Sequence, residues 1–208
     1  MLDLSTAIVL PLGGVLHSPH QKIETCYFIE SGIVSIVAPL SDGQPIEVGV
    51  VGSEGLVGLP ALLGAEYSPL EAIVQLTGTA LRIDATTLVS LFDTSLPLRR
   101  IILPYVQATQ VQTSQTAACN GRHQTVQRLA RWLLIVDDKF AMRPMPVTQE
   151  YLGMMLGVRR QQITIAAAAL QRAGVIAYFR GQIMVTDRTG LEAMACECYG
   201  VVAREVSR

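Results

Sequence analysis

The sequence predicts an α+β chain in three parts: a β-rich N-terminal region, one long helix, and a C-terminal region of short helices closed by a β-hairpin. Three observations predict it. Glycines punctuate short apolar runs as far as Asp84 and then almost stop, with only Gly121 between Asp84 and Arg122. An apolar stripe at spacings of three and four begins beyond Pro97. Charge divides the chain: residues 1–119 hold four Lys/Arg against ten Asp/Glu, net −6, while 120–208 hold twelve against seven, net +5. Such a split points the second part, not the first, toward a polyanion.

The β region is read from its punctuation. Ile8–Leu12 ends at Gly13-Gly14, Cys26–Ile29 at Ser31-Gly32, and Ile33–Ala38 before Ser41-Asp42-Gly43. Ile46–Val51 ends at Gly52-Ser53-Glu54-Gly55, Ala72–Leu76 at Thr77-Gly78-Thr79, and Ala80–Ile83 follows. Short strands at regular spacing with glycine turns predict a sandwich or barrel. Asp42-Gly43 is a hairpin signal.

Leu88, Leu91 and Phe92 predict a short helix. Pro97 suits the first position of a longer one, where its missing N–H costs nothing. Leu98, Ile101, Ile102, Tyr105 and Thr109 form its stripe, and Pro104 falls inside it and should kink it. From Thr109 to Asn120 the stripe turns polar, so this part buries little in its own domain. It is a candidate dimer helix, a packed interdomain helix being the other reading.

In the third part Val126, Leu129, Ala130, Leu133 and Leu134 mark a helix face, with Arg128 and Arg131 assigned to the surface. Lys139 to Pro146, with two prolines, reads as a loop. Thr148 then caps a helix whose inward residues are Leu152, Met155 and Leu156, and Gly157 ends it. A second helix begins near Arg160 with Ile163, Ala167 and Leu170 inward. Helix, glycine turn, helix is the helix-turn-helix plan, in which the first turns of the second helix meet base edges. Arg160, Gln161 and Thr164 stand there as candidate base readers, since arginine pairs bidentately with guanine and glutamine with adenine. Thr148, Arg159 and Gln162 are candidates for phosphate contact or positioning. Gly174 ends the second helix. Val175–Tyr178 and Gln182–Val185 read as two strands joined at Phe179-Arg180-Gly181, a wing whose Arg180 suits phosphate. Asp187 or Thr189 starts a closing helix, Leu191 to Tyr199.

Several classes are excluded. The most apolar region, Ile46 to Ala65, is broken by Glu47, Glu54 and glycines, so no spanning helix and no membrane partner are expected. Met1 to Leu16 carries Asp3, and no basic residue precedes Lys22, so no secretory leader is expected and the location should be cytoplasmic. The four cysteines, Cys26, Cys119, Cys196 and Cys198, form neither a disulfide framework nor a strong metal pattern. Cys196 and Cys198 are read as buried and inert, and His17 and His20 as solvated loop residues without a third ligand. No metal and no cofactor are assigned. No phosphate-binding glycine loop, HExxH or nucleophile elbow occurs, so no enzyme is expected.

Tyr27 to Gly32, Gly52 to Gly58 and Val147 to Gly181 together resemble the cyclic-AMP receptor protein / fumarate-nitrate regulator (CRP/FNR) family, over nearly the whole chain. The resemblance implies a cyclic-nucleotide-binding-like β-roll of jelly-roll type (1–95), a dimerisation helix (96–120) and a winged helix-turn-helix (121–208). It implies a homodimeric, sequence-specific transcription regulator whose partners are double-stranded DNA, a second copy of itself and RNA polymerase. Arg160 matches the family's second-helix arginine. Gln161 stands where many members have glutamate, Ile165 where a second arginine would read bases, and Arg159 where a small polar residue is usual, which suits it to phosphate. The family's nucleotide pocket needs a carboxylate, an arginine and a small hydroxyl. Gly58-Leu59-Pro60-Ala61 offers no carboxylate, and Pro69, Leu70 and Glu71 stand near the expected arginine and serine. Cyclic AMP is therefore not the expected effector, which stays unassigned. Cys26 alone in the first domain does not support the family's iron–sulfur variant. The rival expectation is a ligand-sensing or scaffold protein whose winged domain binds another protein.

Overall fold

The computed structural model describes residues 4–41, 43, 45–140 and 144–206. Packing divides the chain into two units: residues up to 39 with 49–110, and 40–48 with 111–208. Asp42 of the expected hairpin lies outside the described residues. No described helix is long and apolar enough to cross a membrane.

The first unit is a β-roll. Its strands are β1 (Ser5–Leu10), β2 (Val15–His17), β3 (Thr25–Ala38), β4 (Ile46–Val51, whose first three residues are grouped with the second unit), β5 (Leu56–Val57) and β6 (Glu71–Asp84), with the short helix α1 (Leu59–Leu62) before β6. The sheet runs β1-β6-β3-β4, with β2 on β6 and β5 on β3. Its axis is the antiparallel pair β3–β6, fourteen residues each, in register from Thr25↔Asp84 to Val37↔Glu71. β1 extends it from Ser5↔Ile83 to Leu10↔Gly78.

Two expected turns are thereby corrected. Ser31-Gly32 and Thr77-Gly78-Thr79 do not end strands; they are facing irregularities inside two continuous ones. The reason is backbone proximity. A Cβ on Gly78 would stand 2.0 Å from the Ser31 carbonyl oxygen, and one on Gly32 2.6 Å from that of Leu76. Glycine within a strand here marks a close crossing, not a chain reversal. The Ser31 hydroxyl oxygen accepts from the Thr79 N–H at 3.0 Å and so occupies part of the disrupted ladder.

Leu10, Tyr27, Ile29, Val34, Val57 and Val74 fill one core of the roll. Cys26, Leu56, Ile83, Leu88, Phe92 and Ile102 fill a second, against the helix α2 (Ala85–Thr94). Asp84 caps α2 by accepting from the Thr87 N–H at 2.9 Å. The long helix α3 (Leu96–Arg122) continues through Pro104, with Pro97 in its first turn.

The second unit contains the last part of α3, then α4 (Thr125–Lys139), β7 (Met145–Pro146), α5 (Gln149–Leu156), α6 (Arg160–Arg172), β8 (Ile176–Phe179), β9 (Gln182–Val185), α7 (Arg188–Met194) and α8 (Cys198–Val206). A three-stranded sheet runs β7-β9-β8, so the end of the expected 139–146 loop is a strand. Leu129, Leu133, Leu134, Leu152, Ile163, Leu170, Ile183 and Leu191 are fully buried around α4. Arg128 and Arg131, expected on the surface, are buried within it. Arg128 donates to the Leu156 carbonyl at the end of α5, and Arg131 to the Thr116 hydroxyl at 3.0 Å. A buried guanidinium is tolerated because it serves carbonyl and hydroxyl acceptors that would otherwise lack donors.

The expected single closing helix, Leu191 to Tyr199, is two. Asp187 caps α7 through the Gly190 N–H at 3.0 Å, and Ala195 turns extended, separating α7 from α8. Cys196 and Cys198 are both buried. On an uninterrupted helix, residues two apart lie about 200° apart and cannot share a face. The break lets both point inward.

Candidate nucleic-acid interface

Local chemistry builds the helix-turn-helix. The Thr148 hydroxyl oxygen accepts from the Tyr151 N–H at 3.2 Å and starts α5, as expected of a cap. Gly157, at φ 60°, ψ 41°, closes it in the left-handed conformation, its N–H on the Met154 carbonyl and that of Val158 on Gly153. Arg159 is extended at the start of α6, and its N–H is taken by the Gln162 side-chain oxygen at 3.3 Å. Gln162 thus reaches back to the first residue of the helix entry, the reciprocal half of a capping box. Ile163, Ala166, Ala167 and Leu170 face inward, leaving Arg159, Arg160, Gln161, Gln162 and Thr164 exposed on the first turns. The Thr164 hydroxyl lies 2.7 Å from the Gln149 side-chain oxygen and 3.2 Å from the Arg160 carbonyl, linking α6 to α5. Ile165 is 69% exposed on the same helix. The helix dipole adds partial positive charge to a face already carrying Arg159 and Arg160.

The wing is a two-residue hairpin. Arg180 and Gly181 both have positive φ, 50° and 75°, which is the turn matching the strands' own twist. Val147 donates to the Gly181 carbonyl at 2.8 Å, fixing the wing beside the start of α5. The Arg180 guanidinium lies over the Phe179 ring, 4.9 Å from its centre. Phe179, 69% exposed, is a residue that sequence reasoning misses. Its position next to a basic wing tip is the available signal. Burial raises the Tyr178 phenol, against the opposing hydrogen bond from the Gln149 backbone and the charge of Arg160.

Among the residues expected to form a dimer helix, Leu98, Ile102 and Tyr105 pack against their own unit. Ile101 is 71% exposed, and the half-buried Thr109 donates to the Val106 carbonyl at 2.7 Å. In the roll, Gly58 precedes α1 with its carbonyl 3.7 Å from the Cys26 thiol. Burial, then the Asp84 charge, pushes that thiol up to about 12. Pro69 to Glu71 lead into β6, with the Leu70 N–H on the Ser68 hydroxyl. His17 is not a solvated loop residue: it ends β2, half-buried, 2.7 Å from the Thr25 carbonyl and against Tyr27. Burial lowers its pKa despite that hydrogen bond. His20 is exposed.

The spacing of the cysteines hid one convergence. Cys119 and His123, at the end of α3, meet Cys196 and Cys198 from the α7–α8 junction. No sequence pattern links groups more than seventy residues apart.

Together, a β-roll and a winged helix-turn-helix define a two-part regulator of transcription. A model described as the cyclic nucleotide-binding domain matches residues 8–95, and one described as the Crp-like helix-turn-helix domain matches 127–194. The chain belongs to the CRP/FNR family of DNA-binding transcription regulators. No curated protein sequence matches it significantly. Its fold is similar to that of FixK2 from Bradyrhizobium japonicum, at 17% identity and a TM-score of 0.79, covering 92% of this chain and 98% of that one. A CRP/FNR-family transcriptional regulator from Thermus thermophilus gives 18% and 0.75, covering 91% and 98%. The c-di-GMP responsive global regulator CLP of Xanthomonas campestris gives 19% and 0.71, covering 88% and 95%.

Proposed function

We propose that the chain acts as a homodimer on a two-fold symmetric DNA site, reading bases with Arg160 and Gln161 of α6. The observation that carries this reading is the exposed first turn of α6. It presents an arginine and a glutamine, the two side chains that pair bidentately with guanine and adenine. Thr164 is half committed to the link with Gln149, so its part in base reading is secondary. Ile165 adds an apolar contact suited to a thymine methyl. Arg159 and Arg180 serve phosphates, while Thr148 and Gln162 position the helices that carry the readers.

Dimerisation is assigned to α3, where Ile101 remains exposed after Leu98, Ile102 and Tyr105 pack inward. Two copies of α6 would then enter successive major grooves about 34 Å apart. The role is regulatory rather than catalytic, in the cytoplasm, with RNA polymerase as the protein met at the promoter. The effector is something other than cyclic AMP, because Pro69, Leu70 and Glu71 stand near the expected phosphate-binding arginine and serine, and the Glu71 carboxylate would repel a phosphate there.

Selection of bound sites from random duplex DNA tests the reading. The expected product is an inverted repeat whose half-site centres lie one helical turn apart. Affinity for it should fall with salt at a log–log slope of about −0.9 per phosphate contacted. Recovery of no common sequence, with salt-insensitive binding, would favour a winged domain that binds protein instead.

A further inference from the structure

We infer that Cys119, His123, Cys196 and Cys198 form a binding site for a single thiophilic divalent metal ion, Zn²⁺ by chemistry, which ties the end of α3 to the α7–α8 junction. The four ligand atoms all lie within 4.8 Å of one another. The Cys119 and Cys196 sulfurs are 3.5 Å apart, and the Cys198 sulfur is 3.5 Å from His123 Nδ1. A tetrahedron with metal–sulfur bonds of about 2.3 Å has edges of about 3.8 Å. The described geometry needs only small side-chain adjustments to reach it. An iron–sulfur cluster interposes several atoms between its thiolates and needs them farther apart.

The surroundings fit a metal better than inert thiols. All three cysteines are buried, at 0%, 5% and 1% exposure, while His123 remains partly accessible and offers an entry side. His123 turns Nδ1 toward Cys198 and places Nε2 3.3 Å from the Glu197 carboxylate. That is the carboxylate–histidine pairing which fixes the tautomer and orientation of a metal-bound imidazole. Gln115 points a side-chain N–H at the Cys198 sulfur, 3.1 Å away, as it would toward a thiolate. Three thiolates and one divalent cation sum to one negative charge, which the positive charge of buried Arg131, acting on Cys119, opposes. The ligand set, three sulfurs and one imidazole closed to a fifth group, is that of a structural zinc site. The interrupted helix at Ala195 has its purpose here, since both Cys196 and Cys198 must face one point.

Binding is ligand exchange without redox change. The ion sheds its waters, and the three thiols release their protons to solvent as the metal–sulfur bonds form. The centre clamps two distant segments of the second unit, so its loading stabilises that unit.

The test uses the full-length chain, reduced, stripped with a chelator, and titrated with Zn²⁺ or Co²⁺. The expected result is one ion per chain, a raised unfolding midpoint, and a Co²⁺ spectrum with thiolate charge-transfer bands and intense tetrahedral visible absorption. C119S and C198S should each abolish stoichiometric binding, whereas C26S should retain it. E197Q alters an exposed side chain and leaves folding intact, and it should weaken Zn²⁺ by roughly 10–100-fold. Failure of the reduced wild-type chain to take up either ion would overturn the inference. So would loading that C119S and C198S leave unchanged, an octahedral Co²⁺ spectrum, or recovery of acid-labile sulfide. None of these readouts uses DNA, so the site stands or falls apart from the proposed operator.

Discussion

In the β-roll, glycines let backbone meet backbone; in the winged helix-turn-helix, polar side chains hold the backbone at the helix ends. β3 and β6 pair along nearly their whole length, and Gly32 and Gly78 let their main chains meet where the ladder slips. In the second unit, Thr148 holds the Tyr151 N–H, Gln162 that of Arg159, and Arg128 the Leu156 carbonyl. Polar side chains lock the short helices there, as their unsatisfied ends require. The two regions consequently leave different things over for function. The roll is specified by main-chain geometry, with Gly32 and Gly78 where the two long strands cross most closely. The second unit commits Thr148, Gln162 and Arg128 to its own architecture, while Arg160 and Gln161 remain exposed on the face proposed to meet DNA.

Three experiments bear on that contrast. Gly78→Ala should have the largest effect. Its Cβ would fall 2.0 Å from the Ser31 carbonyl, and the roll should lose about 3 kcal/mol, read as a lower denaturant midpoint. Thr148→Ala removes a cap and should lower stability by about 1 kcal/mol, with Thr148→Ser restoring most of it. An equal loss at both positions would erase the distinction between the regions. The smallest effect is pH-dependent. Burial lowers the folded-state pKa of His17 below its ordinary 6.5, so the unfolded chain takes the proton first. The stabilisation from neutral His17 is complete above pH 6.5 and fades as pH falls toward the folded value. Melting curves between about pH 7.5 and about pH 5.5 should therefore show a decline that His17→Gln reduces.

Much of the winged domain is legible in the sequence because its signals are local. Thr148 as cap, Gly157 as terminator, the start of α6 at Arg160 and the two wing strands all follow from chemistry within a few residues. What escapes depends on distant partners. Gly32 and Gly78 read as turns because a strand crossing cannot be told from a reversal without knowing what lies opposite. Arg128 and Arg131 read as surface because their acceptors sit on α5 and α3. Cys119 and His123 gain meaning only when the α7–α8 break delivers Cys196 and Cys198 beside them. The spacing of the stripe expected to pair two copies marks a helix, but Ile102 is buried in its own unit, Leu98 and Tyr105 pack partly buried against the same core, and Ile101 is exposed.

Base reading by α6 is tested by comparing Arg160→Ala with Arg180→Ala on a selected operator and on random duplex, by fluorescence anisotropy across a salt series. Loss of Arg160 should cost about 1–3 kcal/mol on the operator, roughly 5–150-fold, with little change on random DNA. Loss of Arg180 should weaken both alike and reduce the salt slope by about 1. Equal losses from both substitutions on both duplexes, or none from Arg160→Ala, would contradict the assignment of base reading to the exposed turn of α6.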